Sequence, residues 1–217
     1  MTVDPAHKTS PEPVRDTLSD HLLSPDNCAV VLIDYQAGQY ATIGSTSRAE
    51  IDLGATTLAR LARAYEIPTV LSTVGVGMGV NEGTVPELAR ELPSVPEIDR
   101  TGVNSWEDAD FRAAIEATGR KKIVMAGLWT EVCLAFPTLD MLREGYEVYP
   151  VIDAVGGVSP VSHATAVERM VQAGAQPITS IAFGSELMRN WARPDADRFR
   201  VIINDYFRRK RDIGASE

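Results

Sequence analysis

The sequence predicts an α/β protein: a three-layer α/β/α sandwich with a doubly wound, mainly parallel sheet. Three observations carry this expectation. Short apolar runs alternate along the chain with stretches of helical periodicity. The runs are apolar at consecutive positions rather than alternate ones, the pattern of parallel strands covered on both faces. Glycine or proline punctuates the junctions, and strands joined by helices imply right-handed crossovers within one sheet. A length of 217 residues suits one domain with a sizeable core. We expect that domain to span 26–217, behind an irregular arm, 1–25, which carries Pro5, Pro11, Pro13 and Pro25 and no apolar run of signal-peptide type.

In order, Ala29-Val30-Val31-Leu32-Ile33 reads as the first buried strand, with Asp34 at its carboxyl end. A helix is expected over 48–65, where Ile51, Leu53, Leu58, Leu61 and Ala62 fall roughly at helical spacing. Glu66-Ile67-Pro68 connects it to a strand over 69–73. A short helix follows over 86–92 and a longer one over 108–118, then a buried strand over 123–126 closed by Gly127. A helix over 132–144 stops at Gly145, a strand covers 148–152, a helix over 160–173 stops at Gly174, and a last strand covers 176–179. In open sheets of this kind, ligands sit outside the carboxyl ends of the strands.

Composition limits the partners. The net charge is −9, with 21 Lys and Arg against 30 Asp and Glu. Nucleic acid and anionic membranes select basic faces, so neither is expected as a partner. Arg208-Arg209-Lys210-Arg211, flanked by Asp205 and Asp212, reads as a solvated helix end. No segment has the run of uncharged apolar residues that a membrane span needs. Two distant cysteines, Cys28 and Cys133, make no disulfide framework and fit a reduced cytoplasmic compartment.

Cys133 stands at the entry to a helix, after the strand at 123–126, and so shares a sheet edge with Asp34. A thiol in a helix's first turn meets unpaired N–H groups that favour the thiolate, the form that attacks carbonyls. On position alone it reads equally as a small buried hydrophobe. Asp34 alone reads equally as a turn cap; paired with a thiol, it is a base for the thiol proton and a later acid for a leaving amine. A Cys/His dyad finds no suitable histidine, since His7 and His21 lie in the arm and His163 in a helix. The histidines and cysteines are also too scattered for a zinc site, and Gly75-Val76-Gly77-Met78-Gly79-Val80 does not fit a dinucleotide fingerprint. No cofactor or metal is expected.

Leu32-Ile33-Asp34-Tyr35-Gln36, Gly127-Leu128-Trp129-Thr130-Glu131-Val132-Cys133 and Val151-Ile152-Asp153-Ala154 together resemble the isochorismatase-like cysteine hydrolases, over about 27–187. Gln36-Ala37-Gly38, Val103-Asn104-Ser105-Trp106 and the run from Thr130 to Pro137 are most similar to the YcaC-like branch. The resemblance implies a catalytic triad of Asp34, the residue at position 100, and Cys133. The family's usual lysine is replaced by Arg100, as in the YcaC-like branch. Arginine does not give up a proton, so its implied role is electrostatic support.

The resemblance further implies a non-proline cis bond at Leu128–Trp129, with the N–H groups of Trp129 and Cys133 forming an oxyanion site that Thr130 supports. Tyr35, Gln36, Asn104, Trp106, Trp129 and Phe136 flank these positions and are the expected walls of a substrate pocket. Asp153 reads as a turn residue. The expected activity is metal-independent hydrolysis of a small amide or related C–N compound through a thioester. Isochorismate is not the expected substrate, because vinyl ether cleavage does not call for a thiol. The alternatives are a thiol-based redox or electrophile-responsive protein and a catalytically silent binding protein of the same fold. The resemblance also implies a homo-oligomer, octamers included, with Trp191 and Tyr206-Phe207 as candidate interface anchors.

Overall fold

The computed structural model describes residue 16 and residues 19–215. Its centre is a five-stranded parallel sheet, made of β1 (Cys28–Ile33), β2 (Thr69–Val74), β3 (Glu97–Arg100), β4 (Lys122–Gly127) and β5 (Glu147–Pro150). The strand order is β3-β2-β1-β4-β5, so the chain winds outward one way from β1 and then returns to wind the other way. Every residue of β1 and β4 is buried, which is why those segments are apolar at consecutive positions. The register pairs Leu32 with Leu71 on one side and with Ala126 on the other.

Eight α-helices, counted among the described residues, surround the sheet. The short α1 (Ala37–Tyr40) follows β1; α2 (Arg48–Ala64) starts where Ser47 accepts the N–H of Glu50. The short α3 (Pro86–Ala89) and then α4 (Ala109–Ala117), capped by Asp108, precede β4. The helices α5 (Ala135–Arg143) and α6 (Pro160–Gln172) pack together, while α7 (Ser180–Met188) and α8 (Ala196–Gly214) pack on α2. Gly54 is required in α2, because a Cβ there would lie 2.0 Å from the carbonyl oxygen of Asp153. Asp153 is structural as expected: its carboxylate accepts the Ser180 N–H and hydroxyl at 2.8 and 2.6 Å.

Several expected boundaries shift. The strand expected over 176–179 is a single parallel bridge, Ile178 to Val151, in which Gln176 and Ile178 donate to the Val148 and Pro150 carbonyls and Pro177 takes the outward-facing position that an edge allows. The helix expected over 132–144 divides into a π-helical turn, Thr130–Leu134, and α5. The strand β3 was not expected; three of its four residues are charged. Most of the expected arm, 1–25, lies outside the described residues, but its end is pinned to the core. Leu23 is fully buried, and the Asp20 carboxylate meets Arg189 at 3.0 Å. The basic run at the end of α8 pairs with α2, through Lys210 to Glu50 and Arg209 to the Thr56 hydroxyl. No helix among the described residues is long and apolar enough to cross a membrane.

Candidate active site

The first site residue is set by the end of β1. Asp34 adopts φ +60°, in the left-handed region that aspartate tolerates better than most residues. Its N–H continues the ladder to the Ser72 carbonyl at 2.9 Å, and its own carbonyl accepts the Gln36 N–H at 2.8 Å. This tight turn directs a fully buried carboxylate across the carboxyl edge of the sheet, towards β3 on one side and β4 on the other.

Arg100, the last residue of β3, reaches back over β2 to meet it. Its Nη1 and Nη2 donate to Oδ1 and Oδ2 of Asp34, both at 2.7 Å. Nη1 also donates to the Ser72 hydroxyl at 3.1 Å and the Thr73 carbonyl at 3.0 Å, and Nη2 to the Val103 carbonyl at 3.4 Å. The Nε group is buried without a partner among the described residues. Burial alone would weaken the guanidinium's hold on its proton, but the hydrogen bonds and charge of Asp34 outweigh it and raise its affinity. Two charges out of water are tolerable only when paired this closely.

Cys133 enters from β4. Gly127 has no Cβ, which would lie 3.1 Å from the Ile33 carbonyl oxygen, so the two strand ends approach closely here. The Leu128–Trp129 peptide bond is cis, and the π-helical turn from Thr130 to Leu134 carries Cys133, which is 6% exposed. The Thr130 N–H donates to the Gly156 carbonyl at 3.0 Å, and its hydroxyl lies 2.9 Å from His163 Nδ1.

The thiol departs from the expected electrostatics. Burial is the largest influence and the adjoining Asp34 carboxylate the next; both push Cys133 above the ordinary thiol range, while Arg100 and the Trp129 N–H pull the other way. The resting group is therefore a thiol, with Asp34 as its hydrogen-bond acceptor, not the thiolate that a helix N-terminus alone would favour. Desolvation in a low-dielectric interior exceeds the effect of a few oriented N–H groups.

Four expected pocket walls are held inside the protein. Tyr35 is fully buried and donates its hydroxyl to the Ala154 carbonyl at 2.6 Å. Gln36 is fully buried too, bonded to Val74 through both ends of its amide and to the Glu82 carbonyl. Asn104 caps the 3₁₀ turn Ser105–Glu107 and donates to Asp140 at 2.8 Å, and the Trp106 indole donates to Glu144 at 2.8 Å. These residues tie the loops around the site to one another and to α5. The sequence gives their nearness in the chain but not the direction of their side chains. Trp129 and Phe136 are half-buried, and the Trp129 indole is anchored to the Thr42 hydroxyl at 2.8 Å and the Gln39 carbonyl at 3.2 Å. Cys28 lies at the opposite end of β1, fully buried, its thiol donating to the Ser24 carbonyl.

Residues 28–182 match the isochorismatase domain family model. The chain belongs to the isochorismatase family. Among curated members it is similar to the probable hydrolase YcaC of Escherichia coli, 35% identical over 89% of this chain and 93% of that one. Two solved family structures superpose closely. YcaC from Pseudomonas aeruginosa, with hexane-2,5-diol and covalent acrylamide, is 38% identical with a TM-score of 0.81, covering 89% of this chain and 98% of that one. YcaC from Escherichia coli, an octameric hydrolase of unknown specificity, is 35% identical with a TM-score of 0.79, covering 91% and 98%. The family fold thus brings Asp34, Arg100 and Cys133 to one edge, with the first and last flanking β1 and β4, where the winding of the sheet reverses.

Sequence reasoning missed the residues that hold this cluster: Ser72, Thr73 and Val103 around Arg100, and Gln39 and Thr42 around Trp129. One signal was present, a pair of polar residues, Ser72 and Thr73, near the carboxyl end of an otherwise apolar strand.

Proposed function

We propose that this isochorismatase-family protein is a metal-independent cysteine hydrolase of small amides or related C–N compounds. The observation that carries the reading is a buried carboxylate, fixed by an arginine fork, beside a neutral thiol. As Sγ of Cys133 bonds to the substrate carbonyl carbon, its proton passes to Asp34 and the carbonyl electrons move to oxygen. The N–H groups of Trp129 and Cys133 receive that oxyanion; the Trp129 N–H already faces the sulfur. Collapse of the tetrahedral species breaks the C–N bond, and Asp34 returns the proton to the departing amine. Water then attacks the thioester and gives a proton to Asp34; the C–S bond breaks, and the sulfur recovers that proton. Arg100 takes no proton in this cycle and holds the Asp34 carboxylate in place between transfers.

Covalent acrylamide on the Pseudomonas aeruginosa relative supports a reactive nucleophile in proteins of this kind. The octameric Escherichia coli relative supports a homo-oligomer for this chain, with the partly exposed Trp191 and Phe207 as candidate contacts. The same reading takes 26–217 as one hydrolase domain and, from its two free thiols, a reducing cytoplasm as its setting. The test is release of ammonia or amine from a panel of small amides. Cys133→Ala should abolish turnover and Asp34→Asn nearly abolish it, while Cys28→Ala leaves it intact; equal loss on changing Cys28 would overturn the assignment.

A further inference from the structure

We propose that Ser72 is a positioning residue of this centre, holding both members of the carboxylate–guanidinium pair from a single place in β2. The proposal rests on the hydrolase reading only in taking Cys133 as the group that the pair serves.

Ser72 is fully buried in the middle of the sheet, in register with Ile33 and Ile98. A strand interior favours β-branched apolar residues, and a buried hydroxyl is costly unless it is hydrogen-bonded. The Ser72 hydroxyl donates to the Ile98 carbonyl at 3.0 Å. With its proton committed there, the oxygen acts towards its other neighbour as an acceptor, and that neighbour is Arg100 Nη1 at 3.1 Å.

The Ser72 main chain acts on the other partner. Its carbonyl accepts the Asp34 N–H at 2.9 Å, at the residue whose left-handed φ turns the carboxylate towards Arg100. Arg100 Nε has no partner among the described residues, so the orientation of the guanidinium is set through its two Nη groups. Of the three groups other than Asp34 that hold those nitrogens, two are main-chain carbonyls, and the Ser72 hydroxyl is the one from a side chain. Removing it keeps the main-chain bond to Asp34, releases the Ile98 carbonyl and loosens the fork.

Threonine and valine at position 72 have nearly the same shape and differ in the hydroxyl, so Ser72→Thr against Ser72→Val is the discriminating pair, with Ser72→Ala as a smaller companion. The readout is the rate of Cys133 alkylation by limiting iodoacetamide on the full-length chain, followed against pH by intact mass, with Cys28 as internal reference. The charged groups acting on Cys133 are Asp34 and Arg100, and Arg100 in turn feels Asp108. A loosened guanidinium favours the Cys133 thiolate less. Ser72→Val should therefore displace the profile to higher pH and slow labelling at about pH 8 by about 3- to 10-fold, while Ser72→Thr stays within about twofold of wild type. A purely structural hydroxyl would change thermal stability and leave the profile in place. Superimposable profiles for the Val and Thr variants, with wild-type labelling selective for Cys133, would overturn the positioning role alone. Wild-type labelling of Cys133 no faster than that of Cys28 would overturn the hydrolase reading and this role with it.

Discussion

Arg100 meets Asp34 through two parallel hydrogen bonds of 2.7 Å, with neither side chain exposed to solvent. A surface pair of this kind would contribute little. In the interior, each charge depends on the other, and the planar fork matches the carboxylate in a way a single ammonium does not. The pair is thus an anchor between β1 and β3, and it sits beside the Cys133 thiol.

Arg100→Gln should therefore cost stability as well as activity. It leaves the Asp34 carboxylate buried without its cation, and breaking such pairs costs about 3–5 kcal/mol. Urea unfolding of the variant checks this, and a midpoint equal to that of wild type would contradict it.

Arg100→Lys tests geometry against charge. Lysine keeps the charge but offers one point of contact where arginine offers two parallel bonds, and the links to Thr73 and Val103 need the span of the guanidinium. We expect turnover to fall at least about tenfold, the low end of what losing a charged hydrogen bond of about 1.5–3 kcal/mol implies, with KM nearly unchanged. Steady-state kinetics on any amide the wild type hydrolyses decides it.

The two cysteines predict how stability varies at high pH. Burial pushes the Cys28 thiol up to about 12, and burial together with Asp34 raises Cys133 in the same direction. The folded state thus binds these protons more tightly than the unfolded chain does. Their contribution is fully present below about pH 9 and is lost as the pH rises beyond it, by about 2 kcal/mol per thiol between about pH 9 and 11. Thermal unfolding across that range should show a falling midpoint, with a shallower fall in Cys28→Ala; a flat response in wild type would contradict the burial of both thiols.

Trp106→Phe separates a clamp from a pocket wall. The indole donates to Glu144 and stacks edge-on against Tyr146 at 5.4 Å, far along α5 from Cys133. The variant should lose about 1 kcal/mol of stability while kcat and KM stay within about twofold. A large rise in KM alone would restore Trp106 to the pocket.

The parts of this architecture legible in the sequence are those where one physical rule dominates. The central residues of β1, β2 and β4 are buried on both faces, and the apolar runs at Ala29–Ile33, Val70–Leu71 and Ile123–Ala126 made these strands legible in the sequence. The position of Cys133 and Asp34 on one edge followed from their place just after such strands. The edge strand β3 escaped notice because Glu97, Asp99 and Arg100 each meet a polar partner distant in the chain rather than an apolar core. The state of the Cys133 thiol stayed open in the sequence because a helix entry is visible there, whereas the depth of burial beside Asp34 is not. The polarity of Ser72 was visible but its partner was not: it lies 28 residues from Arg100 in the chain, and only the sheet brings the two together.

The most direct test of the central claim is intact-protein mass spectrometry of wild type and Cys133→Ala during brief exposure to a panel of small amides. The account predicts acyl adducts that form and decay on the wild-type protein, map to Cys133, and are absent from Cys133→Ala. Adducts that persist in Cys133→Ala, or that are distributed equally over Cys28 and Cys133, would contradict a thioester mechanism at this site.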